Sequence, residues 1–392
     1  MKKVIVKRVV LATMFISLLL VCSCKNKNTR FVIDVHEIDF VNMSELTIQG
    51  VAVDASLPLG IRGIIVCDSM IVLLSQNNLA QVTVYNTKWQ LLGDFCSIGR
   101  ARNEFISPPF LMSNQFFKRN DGHILIPLIE GRQGIKVVDI TQSLTAGSTV
   151  IASQKDHDTY EIIEFEDNGQ KVRLKNDVHC IYLDNDIDHT FQWYHPIMYK
   201  GETVGESTYL IRHDTIQIKS MKVLADFNTD DFYYYQGVLY KNPEHNIIIQ
   251  PFSWMDYIIF FDLDNDKIFA IHQSGSLSFD NQLPAIGLNE KTDNNGKTFY
   301  QSTRIPHFGD ASCTSSYFIT LYSAGDYSTN TLSNKDRLLP ELLIFNWNGK
   351  FLKSVKLDTS IDKIAFDEKM KILYGLDVTE DRLYKFDLSN VL

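Results

Sequence analysis

Leu342-Leu343-Ile344-Phe345, then Asn346-Trp347-Asn348-Gly349, then Phe351-Leu352-Lys353-Ser354-Val355: an apolar run, a turn of Asn and Gly, and a second apolar run. The Asn-Gly pair supplies the positive φ angles that a tight hairpin requires. The same grammar continues with Ile364-Ala365-Phe366, the turn Asp367-Glu368-Lys369, and Ile372-Leu373-Tyr374-Gly375-Leu376. After Thr379-Glu380-Asp381 the chain runs Arg382-Leu383-Tyr384-Lys385-Phe386-Asp387. Four strands joined by hairpin turns in about fifty residues are the content of one propeller blade.

The pattern recurs upstream. Met70–Leu74 is followed by Val82–Tyr85 and Gln90–Phe95, His123–Pro127 by Ile135–Asp139, and Ile247–Ile249 by Tyr257–Asp262 and Lys267–Ile271. The period is roughly fifty to sixty residues, in the range of propeller and solenoid repeats. The expectation is an all-β protein with a single β-propeller domain over 31–392, of six blades of four antiparallel strands each. Blades stack sheet on sheet, so inner strands are apolar on both faces and read as unbroken runs such as Tyr257–Phe261. Phe31-Val32-Ile33-Asp34-Val35 is placed to close the ring beside the last blade, and 141–235 reads as the region of insertions. The competing architectures are a pair of sandwiches or two smaller β domains, against which stands the lack of a Pro/Gly/Ser-rich linker.

The N-terminus gives an address. Lys2, Lys3, Lys7 and Arg8 precede an apolar run from Val9 to Val21, too short for the ~20 residues of a membrane span and flanked like a secretory signal. It ends in Val21-Cys22-Ser23-Cys24, which resembles a bacterial lipobox with Ser23 as the small residue before the acylated cysteine. Residues 1–23 are thus expected to be removed, Cys24 to carry the lipid, and 24–30 to serve as a tether. An uncleaved anchor helix is the alternative. Removing four basic and no acidic residues takes the formal charge from −9 to −13. Such a chain repels nucleic acid, whose binding rests on clustered Lys and Arg. Beyond the lipid site stand Cys67, Cys96, Cys180 and Cys313, without a C-x-x-C pair, so neither a zinc site nor a disulfide framework is indicated. Cys67, inside Ile64-Ile65-Val66-Cys67, reads as a small buried hydrophobe.

The segment from Gly60 to Phe105 resembles the opening of the TolB-like six-bladed propeller lipoproteins of Gram-negative bacteria. The matching residues are Asp68-Ser69-Met70-Ile71-Val72, Val82-Thr83-Val84-Tyr85-Asn86, Phe95-Cys96-Ser97-Ile98-Gly99 and Asn103-Glu104-Phe105. Arg100-Ala101-Arg102 departs from the Gly- and Pro-rich loop usual there. With Lys25, rather than Asp, after the lipidated cysteine, the resemblance implies the outer membrane with the propeller facing the periplasm. It implies little about activity.

Candidate chemistry is sparse. Asp184-Asn185-Asp186-Ile187-Asp188 and Asp262-Leu263-Asp264-Asn265-Asp266 open like calcium loops, but His189 and Lys267 stand where the loop needs Gly; β-turns are the competing reading. Arg100, Arg102 and Glu104 are candidates for an anionic ligand or an inter-blade ion pair. Trp193, His195 and Trp254 are candidates for a sugar or peptide groove, or for core packing. Histidines 179, 189, 195, 213, 245, 272 and 307 would serve a metal only if they converged near the axis. No nucleophile stands with its base. Two function classes follow. One is a non-catalytic envelope protein whose propeller face binds a protein, peptide or glycan, with no cofactor. The other is a metal-dependent, lactonase-like hydrolase or lyase with a divalent metal in the central channel. Carboxylates and histidines from several blades meeting at one channel mouth would favour the second.

Overall fold

In the computed structural model, side chains are described for 31–153, 237–275, 307–323 and 340–392, apart from 32, 41–45, 77–78, 112, 114–115 and 131–133, and for parts of the remainder only the backbone strands. Five sheets of four or five strands form the propeller. Blade 1 comprises Ile61–Cys67, Met70–Ser75, Val82–Asn86 and Leu91–Phe95; blade 2 comprises Phe117–Lys118, Ile124–Ile129, Gly134–Asp139 and Ile151–Asp156. Blade 3 is built from Tyr240–Lys241, Ile247–Pro251, Tyr257–Asp262 and Lys267–Gln273, and blade 4 from Phe308–Cys313, Phe318–Tyr322, Glu341–Phe345 and Phe351–Leu357. Blade 5 has three strands of its own, Lys363–Asp367, Ile372–Asp377 and Arg382–Asp387.

Alternation explains the unbroken apolar runs. In blade 1, Ile65, Val72, Leu74 and Val84 face blade 2, where they meet Ile124, Leu128 and Val138. Their neighbours Ile64, Ile71, Leu73 and Tyr85 face blade 5 and meet Tyr374, Leu376 and Leu383. A strand buried on both faces has no solvent side, so the period-two signal disappears. Comparable cores join blades 3 and 4 through Phe260, Phe318 and Phe345, and blades 4 and 5 through Ile344, Val355 and Phe366. The packing order is therefore 3–4–5–1–2.

The expected six blades are corrected to five. A further four-stranded sheet (Cys180–Tyr182, Thr190–Tyr194, Thr208–Arg212, Gln217–Met221) lies in the interval of expected insertions; its side chains are outside the described residues, and it is not counted as a blade. Blade lengths run from 25 residues (363–387) to 50 (308–357), so dividing the chain by one mean period counts insertions as blades. The boundary at the C-terminus also moves. Leu342–Val355 supplies the last two strands of blade 4, and the run from Lys363 begins blade 5, so the stretch read as one blade belongs to two. The hairpin itself forms, but of the Asn-Gly pair only Gly349 has a positive φ, +75°; the turn is held instead by Asn346 Oδ1, which accepts the amides of Asn348 and Lys350. Asp262–Asp266 is a β-turn, with Asn265 N–H donating to Asp262 Oδ1; Asp184–Asp188 lies outside the described residues.

Closure differs too. Asp34–Ile38 pairs in parallel with Lys267–Gln273, at the outer edge of blade 3 rather than beside the last blade. Thr47–Ile48 then pairs in parallel with the outer strand of blade 4. Val51–Ala52 pairs antiparallel with Tyr384 and Lys385, giving blade 5 its fourth strand. The strands 34–38, 47–48 and 51–52 thus strap three successive blades, and they cover edges that would otherwise offer unpaired backbone groups.

Candidate functional site

Strand direction divides the propeller into two ends. At one end the inner strands begin and the second strand of each blade turns into the third; this end collects the inter-blade connections. The opposite end carries short hairpins such as Asp68-Ser69.

On the connection end, the loop from Phe95 to Phe105 is closed by backbone hydrogen bonds, Gly99 N–H to Phe105 O at 2.8 Å and Phe105 N–H to Ser97 O at 3.0 Å. Glu104 folds back, its Oε2 accepting Ala101 N–H at 2.8 Å. A Cβ at Gly99 would stand 1.9 Å from that oxygen, so a side chain there would push the Glu104 carboxylate aside. Arg100 and Arg102 are exposed on the outside of this loop. The Glu104 carboxylate therefore shapes the loop that presents the two arginines.

Beneath it lies a pair that the sequence reading missed. Lys136 Nζ is 3.0 Å from Glu130 Oε2, with both side chains more than 90 % buried. Lys136 also donates to Glu104 O at 2.5 Å and sits 4.9 Å from the centre of the Phe105 ring. Glu130 accepts the Ile106 amide. The available signal was a lysine in Ile135-Lys136-Val137-Val138 and a glutamate closing Ile124–Ile129, charges within otherwise apolar strands. Buried charges are paired.

Trp254 lies on the same end but in blade 3, half-buried in the 252–256 turn. Ser253 O in that turn accepts His307 N–H at 2.8 Å, tying blade 3 to the start of blade 4. The side chains of Trp193 and His195, like Cys24, are outside the described residues. The structure thus brings Arg100, Arg102 and Glu104 together and sets Trp254 apart from them.

The inner strands meet at Asp310. Its Oδ2 accepts Ile364 N–H at 2.9 Å, while Oδ1 lies 3.4 Å from Lys363 Nζ and 3.5 Å from Tyr240 Oη. Ser312 Oγ, two residues on, accepts Phe366 N–H at 2.9 Å. One carboxylate therefore links blades 3, 4 and 5. Burial, with the Asp310 charge second, pushes the Tyr240 phenol well above its usual range. The same two causes raise the Cys313 thiol. Cys67 is buried as expected, its thiol pushed up to about 12 chiefly by burial.

The described histidines are spread over different sites. His272 stacks on Tyr257 at 4.5 Å between ring centres in blade 3, and His245 is in an exposed turn. Buried His307, at the start of blade 4, is held down to about 3 by desolvation. Among the described residues, no three His, Cys, Asp or Glu side chains gather as a metal site. The His307 shift makes a pH prediction. Between about 6.5 and about 3 the unfolded chain binds a proton that the folded chain refuses. Stability is therefore complete above this window and falls as pH drops through it, by up to about 1.4 kcal/mol per pH unit. Urea midpoints at pH 5 and pH 7.5 should differ in the parent and differ less in His307→Gln.

The connection end also carries apolar side chains in solvent. Leu79, in the second turn of blade 1, is 83 % exposed, and Leu59, just before its first strand, is 81 % exposed. Ile106 and Phe110, in the passage to blade 2, are 51 % and 45 % exposed. Phe110 pairs with Ile129 at the end of a blade 2 strand, which fixes its place on this end.

The fold defines the chain as a β-propeller. No family model matches it, and no curated protein does. Among solved structures, it is similar to a Bacteroides fragilis protein described as exported, at 12 % identity over 91 % of this chain and 98 % of that one, with a TM-score of 0.45. It is also similar to virginiamycin B lyase from Staphylococcus aureus (11 %, 88 % and 100 %, TM-score 0.37) and BamB from Moraxella catarrhalis (9 %, 85 % and 84 %, TM-score 0.32).

Proposed function

We propose that this chain is a lipoprotein of the cell envelope, anchored through Cys24 in the outer membrane and facing the periplasm, whose propeller presents its connection end to a protein, peptide or glycan partner. The observation that carries the reading is the gathering of Leu59, Leu79, Ile106 and Phe110 on the end that also displays Arg100 and Arg102. Exposed apolar residues beside polar ones mark interaction surfaces, and loops held on a rigid scaffold are where binding resides. The lipobox-like Val21–Cys24 and the resemblance to TolB-like lipoproteins support the address.

Two measurements test it together. Radiolabelled palmitate is expected to label the protein and to be lost in Cys24→Ala; unchanged labelling sinks the anchor. A photo-reactive residue at Arg102 or Glu380, both exposed on the connection end, is expected to give a discrete adduct in cells. The same residue at Met370, on the opposite end, should give none. Identical adducts from both ends, or none from either, would refute the assignment of the face.

A further inference from the structure

Two turns of this chain are built alike. Asn86-Thr87-Lys88-Trp89-Gln90 joins the third and fourth strands of blade 1, and Asn346-Trp347-Asn348-Gly349-Lys350 those of blade 4. In each, the first amide donates to the fifth carbonyl at 3.0 Å, and the Asn Oδ1 accepts the third and fifth amides. The fourth residue is left-handed in both, with φ +63° at Trp89 and +75° at Gly349. Glycine takes that conformation freely, whereas a bulky aromatic residue is strained in it. The other described non-glycine residues with positive φ are aspartates, a lysine and a cysteine.

The strained turn carries the indole onto the seam between blades 1 and 5. Its ring lies 5.7 Å from Tyr85 and 5.8 Å from Tyr374 of blade 5. Lys385 shares a strand face with Leu383, which packs toward blade 1, and its Nζ is 5.3 Å from the centre of the Trp89 ring. Among the described residues, Trp89 Nε1 is buried without an acceptor, and Lys385 makes no ion pair. Asp387, the next side chain on that face, accepts the Ser389 amide at 2.9 Å instead. Desolvation holds the half-buried Lys385 amine below its usual range. A strained backbone, an orphan donor and an unpaired amine are each unfavourable, and such departures gather at functional sites. A desolvated lysine amine is an activated nucleophile.

We propose that Lys385, seated on Trp89 at the seam of blades 1 and 5, is a covalent modification site for aldehydes, the open-chain form of an aldose included. The amine lone pair attacks the carbonyl carbon, and the carbinolamine so formed loses water. The carbonyl oxygen leaves with the two amine hydrogens, and a carbon–nitrogen double bond remains. The turn that carries Trp89 is on the end opposite the connections, so this site does not depend on the partner face.

The test treats the folded full chain briefly with glycolaldehyde and sodium cyanoborohydride, which reduces the imine to a stable secondary amine, and maps the adducts by peptide mass spectrometry. Lys385 is expected to be labelled several-fold faster than Lys88 and Lys369, which are both exposed. The difference is expected to vanish in guanidinium chloride. Equal or slower labelling of Lys385 in the folded chain overturns the proposal. So does a preference that survives unfolding, since it would belong to the local sequence. Trp89→Gly places in this turn the residue that blade 4 carries there, and once circular dichroism shows the variant folded, the preference should fall to that of surface lysines. A folded Trp89→Gly chain that keeps the preference overturns the role of Trp89. The comparison within the parent needs no variant to fold.

Discussion

Glu130→Ala is expected to destabilise the fold by about 3–5 kcal/mol, because it leaves the Lys136 ammonium buried without its counter-charge. Lys136 would keep the Glu104 carbonyl and the Phe105 ring as neighbours, neither of which neutralises a charge. The Ile106 amide would lose its acceptor as well. Glu130→Gln separates the two effects. It keeps an acceptor for Ile106 and removes only the charge, so it should cost less than the alanine. Adding Lys136→Met to Glu130→Gln should recover part of the loss, since no unpaired ion then remains. Urea unfolding of the parent, the singles and the double gives the coupling between the two positions. If all the variants fell within about 1 kcal/mol of the parent, the pair would be hydrated and contribute little, as exposed pairs do.

The consequence for the candidate face is local. Lys136 and Glu130 hold Glu104 and Ile106 from below, so the variants should free the Gly99–Phe105 closure before the rest of blade 1. Hydrogen exchange at 98–105 would then rise more than at 71–75, whose amides sit in a strand buried on both faces. Arg100 and Arg102 owe their presentation to this buried support.

How much of this was legible depended on the range of the forces involved. Hairpins such as Asn346–Gly349 are local, and their turn chemistry specified them. The lipobox-like leader was equally readable as an expectation, though it lies outside the described residues. The blade boundary at 358–362 was not legible, because the turn between blades 4 and 5 differs little in composition from a turn within a blade. Ile361 and Leu357 are buried between the two sheets, and only that packing shows that the chain has changed sheet. The Asp310 junction was hidden for the same reason. An Asp in Phe308-Gly309-Asp310-Ala311 looks like a turn residue, yet a bulge between Phe308 and Ala311 turns it toward the Ile364 amide of the next blade. Arg100 and Arg102 stand out in the sequence because they break a Gly-rich loop pattern, whereas Leu59, Leu79, Ile106 and Phe110 carry no such mark. An exposed leucine in a loop has no sequence pattern to distinguish it from one that folds inward.

Phe40→Ala is expected to cost about 3–5 kcal/mol, the range for truncating a large buried aromatic side chain. Phe40 belongs to the strap, yet it is fully buried between blades 3 and 4. Its ring lies 5.6 Å from Phe345, 5.9 Å from Phe351 and 6.0 Å from Tyr322. Its amide donates to Gln273 Oε1 at 2.6 Å, and Gln273 Nε2 in turn donates to Asp39 Oδ1 at 2.8 Å. Phe40 is thus the peg that fixes Asp34–Ile38 to blade 3, since the parallel pairing itself ends at Gln273. Without the ring, a cavity opens between two blades and the strand before it loses its fixed end. Exchange at 34–38 should rise in Phe40→Ala even where blades 1 and 2 remain protected, and Phe40→Leu should fall between the variant and the parent. Loss of stability with unchanged exchange at 34–38 would show that Phe40 fills space between blades 3 and 4 without holding the strap.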